Sequence, residues 1–415
     1  MNHDSHHEPL KTICMFTPAA EGGHARYTAE MLSALSQPAG TGCRVELVTA
    51  ENVEAQFRST EYPVHAVLPP IRDRYAFKSP LHWAASRIVY YPRREWAFLK
   101  WLKSRPDIAG VHLQEWKPWL AAPMIRAIQK MGIKVFYTAH NILPHRYPKW
   151  IPKWLMHAWI RRACRACDGL FVLSDQLAEK LAGFLGNPHP PIHVTPHGVW
   201  TVRDSIQGPS MQDRLAWKRL LFFGAIRQNK GLDLLLRAAE NLPGFGITIA
   251  GSPDEPEYFQ SEILPRVKQL RDAGRQVELL DRFVADDELG KLFATHSAIV
   301  LPYTKGFVAQ SGVAFMALAY GLPMVASDAG GLGDLMREFK VGVTFHEATP
   351  EHLTAAVNEL YADGNHADLA AQILAAKLRY SWDVAARETI AGYSAAFQAR
   401  RETADAHAVP THPAH

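Results

Sequence analysis

The sequence predicts an α/β protein of two Rossmann-like domains, each a doubly wound parallel sheet, and three observations carry that expectation. Short apolar runs of strand length alternate along the chain with stretches of helical period, the pattern of parallel strands joined by crossover helices. The alternation breaks near the middle at Val202–Arg214 (VRDSIQGPSMQDR), a polar segment with Gly and Pro that reads as an interdomain linker. The 415 residues are enough for two domains of about 200 each, each burying its own core.

Residues 1–10, rich in His, read as a solvated tail ahead of a first domain spanning 11–203. Thr12–Pro18 (TICMFTP) is an apolar strand that runs into Gly22-Gly23 and then a helical pattern; the two glycines let a ligand approach the backbone closely. Val45–Glu51 supplies a second strand with Glu51 near its end, as a dinucleotide-binding unit would. The G-x-G-x-x-G fingerprint is absent, however, which argues against nicotinamide binding. Strands at Gly110–Trp116, Ile133–Asn141, Gly169–Asp175 and Pro191–Val199 complete this half, with a helix at about Ala121–Met131 and another after Asn141. A second domain, 204–379, repeats the scheme with strands at Arg219–Phe223, Gly246–Ala250, Gln276–Leu279, Ala298–Pro302, Pro323–Ala326 and Gly342–Phe345. A last helix at 380–401 precedes a tail at 402–415.

Composition excludes several classes. A hydrophobic fraction of 47% and a charged fraction of 21% are ordinary for a globular protein, and a net charge of +4 does not point to nucleic acid. Four cysteines make no disulfide framework in a chain this long, so a reducing cytoplasm is the expected compartment. Cys164 and Cys167 form one C-x-x-C inside WIRRACRACDG, which reads as helix, with no second Cys/His pair at zinc spacing. No signal-like apolar core opens the sequence, and no apolar run approaches the roughly 20 residues that span a bilayer.

The chemistry concentrates in two stretches. In LFFGAIRQNKGLDLLL (Leu221–Leu236) a buried strand breaks at Gly224 into a loop carrying Arg227 and Lys230 before Gly231 opens a helix. Two fixed cations beside a helix start attract a dianion. In PYTKGFVAQSGVAFMALAYGLPMVASDAGG (Pro302–Gly331), Ser311-Gly312-Val313 can direct backbone N–H groups at the same anion. A diphosphate pocket is the expectation.

This pair of loops resembles the donor domain of family-4-type (group 1) retaining glycosyltransferases of the GT-B fold, and the resemblance covers most of the chain. It implies transfer of a sugar from a nucleotide-sugar donor to a hydroxyl of a glycan or lipid-linked acceptor, with a cleft between the domains and no cofactor beyond that co-substrate. Arg227, Lys230 and His140 are then the expected catalytic residues. Gly23, Gly224, Gln310, Ser311, Gly312 and Val313 are expected to bind the donor, and Gly22, His24, Asn141 and His145 the acceptor. His140 closes a strand in FYTAHNILPH, and histidine can also do acid/base work. His197-Gly198 resembles the family's turn before the linker and reads as structural, and Tyr380–Arg400 resembles its helix crossing back to the first domain. The family's two glutamates, eight positions apart, are replaced by Val308 and Met316, and Gln310 could serve the donor sugar in place of the first. No D-x-D stands near the expected cleft, and Asp286-Asp287 reads as a helix N-cap, so no metal is expected. Two alternatives stay open: a non-catalytic sugar-nucleotide-binding scaffold and a sugar-nucleotide epimerase.

Arg72–Arg105 and Pro144–Arg165 mix Trp, Tyr and Phe with many cations and few acids. Such helices suit peripheral contact with anionic lipid at the inner membrane face, and equally suit core helices whose cations snorkel to water.

Overall fold

A computed structural model describes residues 11–19, 22–37, 43–70, 79–144, 151–202, 209–305, 307, 310–362 and 366–407. The chain divides into two compact units, Met1–Gly198 with Trp382–His415, and Val199–Ser381.

In the first unit, β1 (Lys11–Phe16), β2 (Cys43–Ala50), β3 (Val64–Leu68), β4 (Ile108–Leu113), β5 (Lys134–Thr138), β6 (Gly169–Val172) and β7 (Ile192–Val194) form one parallel sheet in the order β3-β2-β1-β4-β5-β6-β7. The connections carry α1 (Gly22–Leu35), α2 (Pro80–Lys103), α3 (Pro118–Gln129), α4 (Lys153–Ala166) and α5 (Asp175–Leu185). Covered on both faces, the central strands carry runs of buried residues rather than an alternation: Ile13–Phe16 is buried residue after residue. The C-terminal helix (Trp382–His407) packs against α1. Its Tyr393 hydroxyl lies 2.6 Å from Nδ1 of the buried His112, whose Nε2 lies 2.7 Å from the Thr138 hydroxyl. Both ring nitrogens are occupied, and burial pushes that imidazole down to about 3.

The second unit has β8 (Arg219–Phe223), β9 (Gly246–Ala250), β10 (Val277–Leu280), β11 (Ala298–Leu301), β12 (Met324–Ser327) and β13 (Gly342–Phe345) in the order β10-β9-β8-β11-β12-β13, again parallel. Its helices are α6 (Met211–Ala216), α7 (Leu232–Ala238), the single turn α8 (Pro256–Tyr258), α9 (Leu264–Asp272), α10 (Asp286–Ala294), α11 (Gly312–Ala319), α12 (Gly330–Phe339), α13 (Pro350–Tyr361) and α14 (His366–Arg379). In each unit the strand order reverses beside the first strand, between β1 and β4 and between β8 and β11. Loops leaving adjacent strands at such a switch point diverge and leave a crevice, which is where ligands bind in open α/β sheets.

Several expectations are corrected. β3 is not legible in the sequence because it is a half-buried edge strand with His65 as its second residue and proline on either side. The second half of the expected linker is helix α6, held by Arg214, which donates to the carbonyls of Phe293 and His296 at 3.3 and 3.0 Å. The C-terminal helix runs on through His407, into the expected tail. Asp286 is the first residue of α10 rather than its cap; the Glu288 carboxylate accepts from the Ala285 amide instead. Cys164 ends up inside α4 and Cys167 just beyond it, both buried, with the Cys167 thiol directed at the Ala163 carbonyl. Among the described residues there is no cluster of three or more His, Cys, Asp or Glu suited to a metal, and no helix long and apolar enough to cross a membrane.

Candidate active site

In the second unit the two chemistry-bearing loops leave paired strands: Leu220 is in register with Ala298 and Leu221 with Ile299. Gly224 ends β8 at φ +111°, and a side chain there would crowd Val313 Cγ2 at 3.3 Å. Gly231, at φ +65°, closes a 3-10 turn over Gln228–Lys230; any Cβ would be driven into the Pro302 carbonyl oxygen. The two loops therefore meet backbone against side chain and backbone against backbone, which only glycine permits.

Lys230 and Ser311 are linked through Tyr303. The Lys230 ammonium lies 3.7 Å from the centre of the Tyr303 ring and 4.3 Å from that of Phe307. The Tyr303 hydroxyl lies 2.9 Å from Ser311 Oγ. Ser311 caps α11, its hydroxyl accepting from the Ala314 amide at 3.4 Å, and Trp200 anchors the first turn by donating to the Gly312 carbonyl at 2.7 Å. Gly312 and Val313 head that helix, where amides have no intrahelical acceptor. Burial, and then the charge of Arg227, push the Lys230 ammonium down to about 7. Arg227 is itself engaged, donating through Nε and Nη2 to Asp254 Oδ2 at 2.8 and 2.5 Å. Gln310 lies across Gly331, its Cγ in the space a Cβ there would need.

In the first unit the corresponding loops follow β1 and β4. Gly22 opens α1 at φ +78°, and a Cβ on Gly22 or Gly23 would meet no atom of the described residues within 4 Å. His140, just past β5, packs edge to face with His24 and Tyr27 at ring separations of 4.6 and 4.7 Å, and its Nε2 lies 3.2 Å from Gln114 Oε1. His24, Glu115, Lys117, His140 and Asn141 stand round a cavity of about 250 Å³ that reaches inward to Ile160 and Leu181. Lys117 pairs with Glu115 at 3.0 Å, and Trp116 stacks on Tyr137 with ring centres 3.5 Å apart.

Comparison with known proteins follows the same division. Residues 21–203 match the family model described as Glycosyltransferase Family 4, and residues 217–363 the one described as Glycosyl transferases group 1. The chain belongs to the family-4-type, group 1 glycosyltransferases. It is 27% identical over 309 residues to the glycogen synthase of Mycobacterium tuberculosis, covering 72% of this chain and 71% of that protein. It is 25% identical over 415 residues to a D-inositol 3-phosphate glycosyltransferase of Xylanimonas cellulosilytica, covering 91% and 93%. Among solved structures, the sucrose-phosphate synthase of Thermosynechococcus elongatus superposes with a TM-score of 0.69 at 16% identity, covering 94% of this chain and all of that one. That likeness establishes the GT-B fold.

Three expectations about the glycosyltransferase's site change. Lys230 is not a fixed cation, because burial beneath two rings makes its proton labile near neutral pH. Arg227 is not an open one, because Asp254 holds it. His140 is a poor candidate for acid/base work: burial, reinforced by His24, His197 and His112, holds it well below 6.5, so it is neutral and weakly basic at pH 7. Met316, on α11, is buried at 8% exposed, while Val308 and His145 lie outside the described residues. Tyr303, Phe307, Asp254, Glu115 and Lys117 were missed. Tyr303 and Phe307 stand in PYTKGF within the quoted loop, and their aromatic character was the available signal.

Proposed function

We propose that this glycosyltransferase takes its sugar from a nucleoside-diphosphate sugar held at the β8 and β11 loops and delivers it, with retention of configuration and without a metal, to a hydroxyl of a glycan or lipid-linked acceptor. The observation that carries the reading is the run Lys230–Tyr303–Ser311, which ties a labile cation to the amides heading α11. When the bond to the diphosphate breaks, negative charge accumulates on the leaving phosphate. Lys230, recharged by the anion itself, Arg227 and the Gly312 and Val313 amides together meet that charge, the role a divalent ion plays elsewhere. Gly224 keeps the loop low enough for the phosphates to approach, and Gln310 serves the sugar hydroxyls. Position 316 is methionine and buried, so the ribose is not gripped by a carboxylate there. Retention is carried over from the family resemblance.

In the first unit the α1 start at Gly22 and Gly23, with His24, His140 and Asn141 lining the cavity, suits a hydroxylated acceptor. The neutral His140 acts as a hydrogen-bonding group.

The same unit supports peripheral membrane contact at the inner face of the cytoplasmic membrane. Neighbouring helices α2, α3 and α4 contain one acid, Glu95, which is buried. They expose Ile88, Val89, Trp96 and Trp154 beside Lys100, Arg126, Arg161 and Arg162. Co-sedimentation with phosphatidylglycerol vesicles at low salt tests this, and a protein that stays in the supernatant rules it out.

A thermal-shift screen over UDP-, GDP- and ADP-sugars, followed by turnover of Lys230→Met, tests the transfer reading. A stabilising donor and a turnover loss of at least tenfold in a folded variant are expected; near-normal transfer by Lys230→Met refutes it. Tight donor binding with neither hydrolysis nor transfer would instead favour the scaffold alternative.

A further inference from the structure

We infer that the acceptor of this enzyme carries a phosphoryl group and that Arg94, on α2, receives it. The inference rests on the reading of the first unit as the acceptor side.

Arg94 is 3% exposed, and its Nε and Nη2 are buried with no hydrogen-bond partner among the described residues. The guanidinium lies 5.8 Å from the centre of the Tyr90 ring and 5.2 Å from that of Tyr91, also hydrogen-bonds the Tyr90 side chain, and stands near enough to Glu95 and Glu115 to favour their charged forms. A buried guanidinium without an anion is among the costlier features a fold can carry, and native proteins pair such groups with almost no exceptions.

Among the described residues, the nearby carboxylates Glu115 and Glu95 do not hydrogen-bond Arg94. Glu115 is engaged by the Lys117 ammonium at 3.0 Å. Glu95, next to Arg94 in sequence, is 7% exposed, and its burial pushes the carboxyl up to about 7, against the opposing pull of Arg94 and Lys117. Further cations collect at the same place. The Lys117 ammonium lies 4.8 Å from the centre of the Tyr91 ring, and the Arg87 guanidinium 5.6 Å from it. Among the described residues, three cations therefore surround one tyrosine, against one partnered carboxylate and one that is only partly ionised at neutral pH.

Lys117 also lines the 250 Å³ cavity with His24 and His140, so the cationic cluster adjoins the space proposed for the acceptor hydroxyl. A planar guanidinium fork with two unclaimed nitrogens matches two oxygens of a phosphoryl group, and a local surplus of positive charge suits a dianion. The phosphoryl group could belong to a soluble sugar phosphate or to a polyprenyl-phosphate-linked sugar; the chemistry that Arg94 would recognise is the same.

The test uses the full chain in a Lys230→Met background, which weakens anion binding in the second unit, and titrates inorganic phosphate calorimetrically with and without Arg94→Met. Phosphate affinity should fall at least tenfold with Arg94→Met, while the melting temperature of the ligand-free variant stays level or rises, because an uncompensated buried charge has been removed. Unchanged phosphate affinity overturns the inference, and so does a large drop in ligand-free melting temperature, which would make Arg94 a structural residue. Glucose 6-phosphate and a short-chain polyprenyl phosphate in detergent form the second arm, and the one whose binding requires Arg94 names the source. With Lys230 intact, acceptor-free donor hydrolysis should survive Arg94→Met. Hydrolysis absent from the wild type as well would count against the donor reading and leave the acceptor question to the phosphate titration.

Discussion

Binding of the nucleoside diphosphate should draw a proton into the protein, because Lys230 sits buried over Tyr303 and Phe307 with its ammonium pushed down to about 7. At pH 8 such a group is about nine-tenths discharged in the ligand-free protein, whereas beside a dianion it is charged, so binding takes up close to 0.9 proton at pH 8 and only about 0.1 at pH 6. Affinity should correspondingly fall up to about tenfold, or about 1.4 kcal/mol, for each pH unit above 7. The sign for stability follows the same linkage. In the unfolded chain the lysine titrates near 10.4, so below pH 7 both states hold the proton and the folded state bears the full penalty of a buried charge. Between pH 7 and about 10 the folded state has released the proton while the unfolded state keeps it, and stability rises with pH. The ceiling is about 5 kcal/mol, and the partial solvent access of Lys230 lowers it to about half of that. Isothermal titration of the diphosphate selected by the thermal-shift screen, repeated at pH 8 in HEPES and in Tris, reads the uptake from the difference in buffer ionisation heat. An uptake under about 0.2 proton, or an equal uptake by Lys230→Met, would refute the assignment.

The pH dependence of kcat/KM should show no ionisation near 6.5 that disappears in His140→Asn, because His140 is already neutral there; a limb lost with that substitution would restore it as an acid or base. Tyr303→Phe removes the hydroxyl contact to Ser311 but keeps the ring beneath Lys230, so it should cost about 1 kcal/mol in denaturant unfolding and leave proton uptake intact. Gly231→Ala combines a left-handed backbone with a clash against Pro302, and should cost more than the roughly 1–2 kcal/mol of the backbone term alone, seen as a lowered melting temperature. Tyr393→Phe strands Nδ1 of the buried His112 and should cost about 1–3 kcal/mol in the same assay.

The two-sheet fold was readable because parallel strands covered on both faces leave continuous apolar runs, such as Ile13–Phe16 and Leu220–Phe222, and glycines mark where those runs stop. The strand β3 was not readable, since an edge strand buries too little to need such a run. Helix α6 was taken for linker because it is only six residues long and is secured by Arg214 reaching carbonyls at the end of α10, a partner far along the chain. In the candidate site, both loops could be read from their glycines and cations, whereas the state of those cations could not.

Local residue order was thus sufficient for the architecture, for the positions of the two loops and for the chemical type of each side chain in them, because periodicity and backbone permissiveness are properties of neighbours in sequence. Folding alone decided that Lys230 lies over Tyr303 and Phe307 and holds its proton loosely, that Asp254 engages Arg227, and that Arg94 is buried with two nitrogens unpartnered among the described residues. Charge, burial and hydrogen-bond partnership depend on atoms brought close from distant parts of the chain, and a linear pattern carries no measure of that proximity.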